Sequence, residues 1–145
     1  MNQSERRRYL IQELLDEQKE YSHFSIPEDS RGQKDLLRGL LNVRAPKMLS
    51  REFLKIQNEY LKEETEKKGI TELADLTPVE QGIYLWQGDI TTLRCDAIVN
   101  AANSGMTGCY APNHKCIDNC IHTFAGAQLR YECAQMMKAQ GHEEP

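Results

Sequence analysis

The first half of the chain places apolar residues at helical spacing between charged ones. In the first such segment the apolar stripe consists of Leu10, Ile11, Leu14 and Leu15, which is typical of an amphipathic helix. Two further segments repeat this pattern, each after a residue suited to capping a helix. The three predicted helices are residues 4–21 with Ser4 as N-cap, a segment from Asp29 or Ser30 to before Pro46, and a segment from Ser50 to Gly69.

The pattern changes in the second half to short apolar runs bounded by turn-forming residues. Residues 83–86 and 97–99 are runs of this kind, typical of strands buried on both faces of a sheet. A loop of small residues, 100–105, follows the second run. Helical spacing then returns, which predicts a helix at about 117–124, a break at Gly126 and a further helix. We therefore predict an α/β portion after the first three helices.

Composition and charge narrow the class of protein. The 145 residues are enough for one domain, and the net charge of −4 disfavours a general nucleic-acid-binding surface. There is no run of about 18 apolar residues, and the N-terminus lacks the apolar segment of a secretory signal. We therefore expect a cytoplasmic protein that binds neither membrane nor nucleic acid.

Cysteine and histidine spacing predicts a metal site. Five cysteines without a secretory signal argue against a disulfide framework. Cys109, His114 and Cys116 lie within eight residues, and thiolate and imidazole are preferred zinc ligands. Three such ligands leave a fourth tetrahedral position for water or substrate. Cys120, one helical turn beyond Cys116, could instead complete a closed structural site, and packing without metal is a further alternative.

The loop at residues 100–105 suits an anionic ligand. Where a strand leads through a loop into a helix N-terminus, free backbone N–H groups and the helix dipole point at the ligand. Small side chains also let a ligand approach the backbone closely. This arrangement predicts a phosphate or nucleotide pocket.

Three sequence motifs resemble a known family. GDIT at 88–91, DAIVNAAN at 96–103 and D-x-x-I-H at 118–122 are similar to those of macrodomains, the ADP-ribose-binding fold. Where most macrodomains have a glycine-rich run, residues 108–119 contain the cysteines and histidine. That feature resembles the zinc-containing macrodomains of bacterial and fungal protein-ADP-ribose hydrolases. The resemblance covers about residues 82–133.

The resemblance also implies the architecture. It implies an α-helical N-terminal extension over residues 1–75 and the N-terminal portion of a three-layer α/β/α macrodomain over residues 76–145. The residues themselves, with a turn at Thr77-Pro78, predict a linker at 70–81. A macrodomain sheet has more strands than the two predicted here. We therefore expect an incomplete sheet and a sequence truncated at its C-terminal side.

The resemblance assigns roles around the predicted pocket. Asp89 would accept a hydrogen bond from the adenine amino group, with the Ile90 N–H supporting the ring. Asn103 would hold the distal ribose hydroxyls, and Asp118 would orient the ribose or a water. Asn103 and Asp118 are thus the implied catalytic residues. The N–H groups implied to bind phosphate are those of Cys116, Ile117 and Asp118.

Each role has a structural alternative. Asp89 and Asn103 are common turn residues, and an acid in the first turn of a helix, such as Asp118, complements the helix dipole. Tyr110 could line a substrate cleft. His122 is expected to be a packed or partner-bonded side chain.

The implied activity is zinc-dependent hydrolysis that removes ADP-ribose from acidic side chains of a target protein. The resemblance further implies a sirtuin-type ADP-ribosyltransferase and a lipoyl-carrier protein as partners. The alternatives are a non-catalytic ADP-ribose-binding module with a structural zinc, and an inactive fragment.

Overall fold

The computed structural model describes every residue from Met1 to Pro145. Five α-helices, three short 3-10 helices and four very short strands make up the fold. In chain order the α-helices and strands are α1 (Gln3–Glu17), α2 (Ser30–Val43), α3 (Arg51–Lys68), β1 (Thr71–Glu72), β2 (Pro78–Glu80), β3 (Ile83–Tyr84), β4 (Leu93–Arg94), α4 (Ile117–Ala125) and α5 (Ala127–Gln140). All five predicted helices are confirmed, although the first ends earlier than predicted.

Side-chain caps determine where the first three helices begin. At α1, Asn2 accepts a hydrogen bond from the Glu5 N–H at 2.9 Å, and the Glu5 carboxylate accepts one from the Asn2 N–H at 2.8 Å. This reciprocal capping box satisfies the first free N–H groups, so the prediction that Ser4 is the cap is wrong. Ser50 caps α3, as predicted, and of the two caps predicted for α2, Asp29 or Ser30, the cap is Asp29.

The hydrophobic core lies between α1, α2 and α3. Its ten buried side chains are Leu10, Ile11, Leu14, Leu15, Leu37, Leu40, Phe53, Ile56, Tyr60 and Leu61. The apolar stripe predicted for α1 supplies four of them, which confirms the packing face of that helix. Outside these helices the one buried apolar side chain is Ile121 of α4. The N-terminal helices are therefore the scaffold on which the rest of the chain packs.

The strands form two separate pairs, with β1 parallel to β4 and β2 antiparallel to β3. The strand predicted at 83–86 is reduced to 83–84, and the strand predicted at 97–99 is wrong because no strand forms there. Their predicted burial is also wrong, since Leu85 is 84% and Val99 is 87% exposed. The physical reason is that no neighbouring strand pairs with the backbone of residues 97–99, and no second layer covers their side chains.

The chain is an α/β protein with a helical N-terminal region, as predicted. Helix α4 packs against α2 and α3, and β1, which lies within the segment 70–81 predicted as a linker, pairs with β4. Helix packing and strand pairing therefore both join the two halves, while the predicted boundary between residues 75 and 76 stays a prediction. No helix is both long enough and apolar enough to cross a membrane.

Leu14 and Leu85 give a matched test of where the core lies, because Leu14 is 1% and Leu85 is 84% exposed. Leu14→Ala should lower the free energy of unfolding by about 2–5 kcal/mol, since it leaves a cavity among packed helices. Leu85→Ala should change it by less than about 0.5 kcal/mol. Urea unfolding followed by circular dichroism measures both, and equal losses would contradict this placement of the core.

Candidate metal centre

The three predicted metal ligands come together in one loop, residues 107–116, which we call the metal loop. The Sγ atoms of Cys109 and Cys116 and a ring nitrogen of His114 all lie within 4.8 Å of one another. The distance from Cys109 Sγ to His114 Nδ1 is 3.7 Å. A thiolate and an imidazole in a tetrahedral zinc site are separated by roughly 3.6 Å. The donor types and their spacing therefore fit a metal ion.

Cys120 lies outside this group of ligands. Its Sγ instead accepts a hydrogen bond from Nη2 of Arg38 at 3.5 Å. The cluster thus offers three protein ligands, and a tetrahedral ion held by them would keep one position for water or substrate.

Cys116 also lies directly before α4. Its Sγ accepts a hydrogen bond from the N–H of Asn119 at 3.4 Å, so it is the N-cap of the helix. This places the sulfur at the positive end of the helix dipole, where anionic groups are stabilised. The first turn of α4 and the metal cluster therefore share one residue.

The metal loop bends through left-handed residues. Gly108 has a φ of 86° and Asn113, directly before His114, has a φ of 57°. Glycine adopts this conformation freely, but a residue with a Cβ does so at a cost in energy. The N–H of Asn113 donates to Oδ1 of Asn42 at 2.9 Å. A contact from α2 therefore supports the strained turn beside the histidine ligand.

Arg130 of α5 connects the metal loop to α2. Its Nε donates to the carbonyl of Thr107 at 2.7 Å, and its Nη2 donates to that of Cys109 at 3.1 Å. Its guanidinium carbon lies 3.9 Å from the centroid of the Tyr110 ring. Its Nη1 donates to carbonyls at the C-terminal end of α2, those of Leu41, Asn42 and Arg44. One buried cation thus serves both the loop and the helix.

Asp118, in the first turn of α4, is held from two sides. It is 5% exposed, and its Oδ1 accepts a hydrogen bond from Nδ2 of Asn100 at 2.8 Å. The same oxygen lies 3.6 Å from Nε2 of His122. Both contacts use Oδ1, so the orientation of the carboxylate is restrained while Oδ2 makes neither contact. His122 is therefore a packed side chain with a partner, as predicted.

Asn103 and Asp89 are exposed turn residues. Oδ1 of Asn103 accepts a hydrogen bond from the Gly105 N–H at 3.1 Å, and its Nδ2 donates to the Gly108 carbonyl at 3.2 Å. Oδ1 of Asp89 accepts from the N–H and the hydroxyl of Thr91 at 2.9 and 2.6 Å. Partial burial raises the pKa of Asp89, but these hydrogen bonds outweigh it and hold the pKa below its ordinary value.

The structure joins some of the predicted site residues and separates others. Asp118 lies directly after the metal loop, and Asn103 reaches that loop through its bond to Gly108. No hydrogen bond joins Asn103 to Asp118, and Asp89 makes its side-chain hydrogen bonds within its own turn. The ligand-binding and catalytic roles of these residues stay predictions.

The buried polar residues that support the metal loop were not predicted from the sequence. Arg130, Asn119 and Asn42 are all buried, and Nδ2 of Asn119 donates to a loop carbonyl at 3.0 Å. Asn42 stands between Leu41 and Val43, so an amide inside an apolar run of α2 is the one signal available. Arg130 has no comparable signal, because its hydrogen-bond acceptors lie more than 20 residues away in sequence.

The sequence is similar to one known protein family and to several named proteins. Residues 99–145 match the Macro domain family. All of the chain aligns, at 60% identity over 149 residues, with 57% of a protein from Treponema medium named Protein-ADP-ribose hydrolase. A protein of the same name from Staphylococcus aureus strain MRSA252 is 44% identical over 137 residues, which cover 94% of this chain and 51% of that protein.

A third relative joins two activities in its name. It is a protein from Fusarium oxysporum f. sp. cubense named Probable bifunctional ADP-ribose hydrolase/ADP-ribosyltransferase, 44% identical over 119 residues. That match covers 74% of this chain and 20% of the relative. The chain spans little more than half the length of the two hydrolase relatives, so their whole-protein activity comes to this chain only as a proposal.

Gly108 and Gly82 allow a test of loop packing, since their φ values are +86° and +75°. A Cβ at Gly108 would lie 2.7 Å from Cγ of His122, whereas one at Gly82 would meet nothing within 4 Å. Gly82→Ala should lower the free energy of unfolding by about 1–2 kcal/mol, because alanine is strained in the left-handed conformation and meets no other obstacle. Gly108→Ala should cost at least about 1 kcal/mol more, because the imidazole must move. Urea unfolding compares the two, and equal losses would contradict close packing of the loop on His122.

His122 predicts a pH dependence of stability. Burial chiefly lowers its pKa below the ordinary value, Asp118 raises it, and Arg130 lowers it further. The unfolded chain therefore binds this proton at higher pH than the folded chain. The stability contributed by neutral His122 is fully present above about pH 6.5, the unfolded pKa, and is lost as the pH falls toward the folded pKa.

Unfolding free energies measured from pH 7.5 to 5.5 in a metal chelator should therefore decrease, and His122→Gln should flatten the slope. His142→Gln, which changes an exposed histidine, is the matched control and should leave the slope intact. An unchanged slope in the His122 variant would show that another group titrates.

Proposed function

We propose, from the match of residues 99–145 to the Macro domain family and the similarity of the whole chain to protein-ADP-ribose hydrolases, that this protein acts in removing ADP-ribose from modified proteins. The observation that carries the proposal is the group of three ligand atoms within 4.8 Å inside the macrodomain-matching segment. A metal ion held there would lie next to the N-terminal end of α4, where a nucleotide phosphate would bind.

We infer that the metal is zinc, held by Cys109, His114 and Cys116. Two thiolates and an imidazole suit zinc and disfavour magnesium and calcium, which prefer oxygen ligands. Bound zinc supplies Lewis-acid and positioning chemistry at a fourth coordination position open to water or substrate. The bond of Cys120 to Arg38 supports this open arrangement over a closed four-ligand site.

The nucleotide end of ADP-ribose is assigned to Asp89 and Ile90. The carboxylate of Asp89 is ionised at neutral pH because its pKa is lowered, so it can only accept hydrogen bonds. Oδ1 holds Thr91, which orients the carboxylate and leaves Oδ2 for the adenine amino group. The Ile90 N–H follows in the same turn and would face the adenine ring.

The phosphates are assigned to the N-terminus of α4, where the first N–H groups lack partners within the helix. They belong to Cys116, Ile117 and Asp118. An amide has two N–H groups and two lone pairs, and Asn103 uses one N–H on Gly108 and one lone pair on Gly105. The remaining pair suits the vicinal hydroxyls of the distal ribose.

Asp118 is the proposed orienting acid at the scissile bond. Asn100 and His122 restrain Oδ1, so Oδ2 would present a fixed acceptor to the ribose or to the attacking water. Together with Asn103 it forms the proposed catalytic pair. Asp118 is 5% exposed, so the ligand would contact it only through Oδ2.

The substrate linkage and partners come from the sequence resemblance. We propose an acidic side chain of the target as the attachment point. A sirtuin-type ADP-ribosyltransferase and a lipoyl-carrier protein are the proposed partners. The printed name of the Fusarium oxysporum relative pairs a hydrolase with an ADP-ribosyltransferase, which supports a functional link to a transferase.

The test is release of ADP-ribose from a protein modified on Glu or Asp, followed by mass spectrometry. The Treponema medium relative is the positive control for the substrate. Release should stop with a zinc chelator and return when zinc is added. Binding of ADP-ribose without release would favour a non-catalytic reader, and failure to bind or release it while the relative is active would identify this chain as inactive.

Cys116→Ser and Cys120→Ser make the same chemical change on and off the proposed metal site. Cys116→Ser removes one of three ligands and should weaken zinc binding by more than about 100-fold, with a matching loss of release. Cys120→Ser should leave both within about twofold, since Cys120 is not a ligand and the serine oxygen can still accept the hydrogen bond from Arg38. Zinc affinity by chelator competition measures this directly, and a comparable loss in Cys120→Ser would contradict the three-ligand site.

A further inference from the structure

We infer that helix α2, although it lies some 70 residues upstream of the metal loop, is part of the metal centre, with Asn42 and Arg38 as its positioning residues. This inference rests on the proposed metal site alone and not on the hydrolase activity. In this proposal, residues of the helical N-terminal region position the metal ligands.

Asn42 acts on the backbone beside the histidine ligand. It is 2% exposed, its Oδ1 accepts from the N–H of Asn113 at 2.9 Å, and its Nδ2 donates to Oγ1 of Thr123 at 3.0 Å. The Thr123 hydroxyl in turn donates to the carbonyl of Asn119 at 2.7 Å. The amide therefore links the left-handed residue before His114 to the helix that starts at the third ligand.

Arg38 acts one residue further along the loop. Its Nη2 donates to the carbonyl of His114 at 2.9 Å and to Oδ1 of Asn119 at 3.0 Å. The same nitrogen contacts Sγ of Cys120 at 3.5 Å, which keeps that sulfur bonded outside the ligand group. Arg38 and Asn42 thus hold both sides of the backbone that presents the imidazole.

Metal affinity depends on such supports because ligands must stay close to one geometry before the ion arrives. The loop has no regular secondary structure, and its turn before His114 is in a conformation that a residue with a Cβ adopts reluctantly. Without its α2 contacts the apo loop would sample other conformations, and binding would have to reorder it. The expected consequence is a lower zinc affinity with the three ligands unchanged.

The experiment measures zinc affinity of the whole chain by competition with a chromogenic chelator, for Asn42→Ala, Arg38→Ala and the control Gln33→Ala. Gln33 is also a buried amide on α2, but its bonds go to Arg7 and the Pro27 carbonyl, away from the metal loop. We expect Asn42→Ala and Arg38→Ala to weaken zinc binding about 10-fold each. This is the lower end of the range of affinity losses seen when a residue that supports a metal ligand is removed. Gln33→Ala should lower stability without changing affinity.

Hydrogen exchange of the metal-free chain gives a second readout. The N–H of Asn113 should exchange faster in Asn42→Ala and at the wild-type rate in Gln33→Ala. If Asn42→Ala fails to fold, Arg38→Ala tests the positioning role instead, because Arg38 is only half-buried. Arg38→Lys keeps the charge and should recover part of the affinity lost in Arg38→Ala.

The outcomes separate the two proposals. Wild-type protein that binds no zinc would refute the metal site and this inference with it. Zinc binding that is unchanged in both α2 variants would overturn the positioning role and leave the metal site intact. An equal loss in Gln33→Ala would also overturn it, because general destabilisation would then explain the effect.

Discussion

The buried guanidinium of Arg130 is the contact on which the arrangement around the metal loop depends. A buried cation is tolerated only when hydrogen bonds replace its lost hydration, and Arg130 donates to five carbonyl oxygens. Three of them are at the end of α2, where helix carbonyls lack partners within the helix. The other two belong to Thr107 and Cys109 of the metal loop. The same group therefore completes the helix end and places the first ligand.

Apolar and polar contacts have different roles in the two halves of this protein. The apolar core is confined to α1, α2 and α3, and it stabilises those helices by burial, which has no preferred direction. The second half adds directed hydrogen bonds to the packing of α4 on α2 and α3. For example, Gln57 of α3 accepts from the N–H of Ala127 and donates to Gln128 at the start of α5. Hydrogen bonds are directional, so bonds from the stable N-terminal helices hold atoms of the second half in fixed positions.

Hydrogen bonds and close contacts also restrain Asp118, the acid next to the metal loop. Asn100 and His122 hold Asp118 by one oxygen, while the buried Oδ1 of Asn100 and Nδ1 of His122 have no hydrogen-bond partner within the protein. Such unpaired buried atoms cost free energy, typically about 1–3 kcal/mol each. Buried polar atoms that lack a protein partner occur at catalytic sites and where water or an ion binds. Their position beside the proposed ribose-binding residues fits that reading.

The sequence by itself determined the local features of this protein. The five helices, the cap at Ser50, the break at Gly126 and the ligand group in the metal loop all follow from it, because periodicity, capping and ligand spacing act between residues close in sequence. Only the tertiary structure decided that residues 97–99 form no strand and that Asn42 and Arg130 support the metal loop. Strand pairing and buried hydrogen bonds need partners from distant parts of the chain, and no local pattern records whether those partners are present.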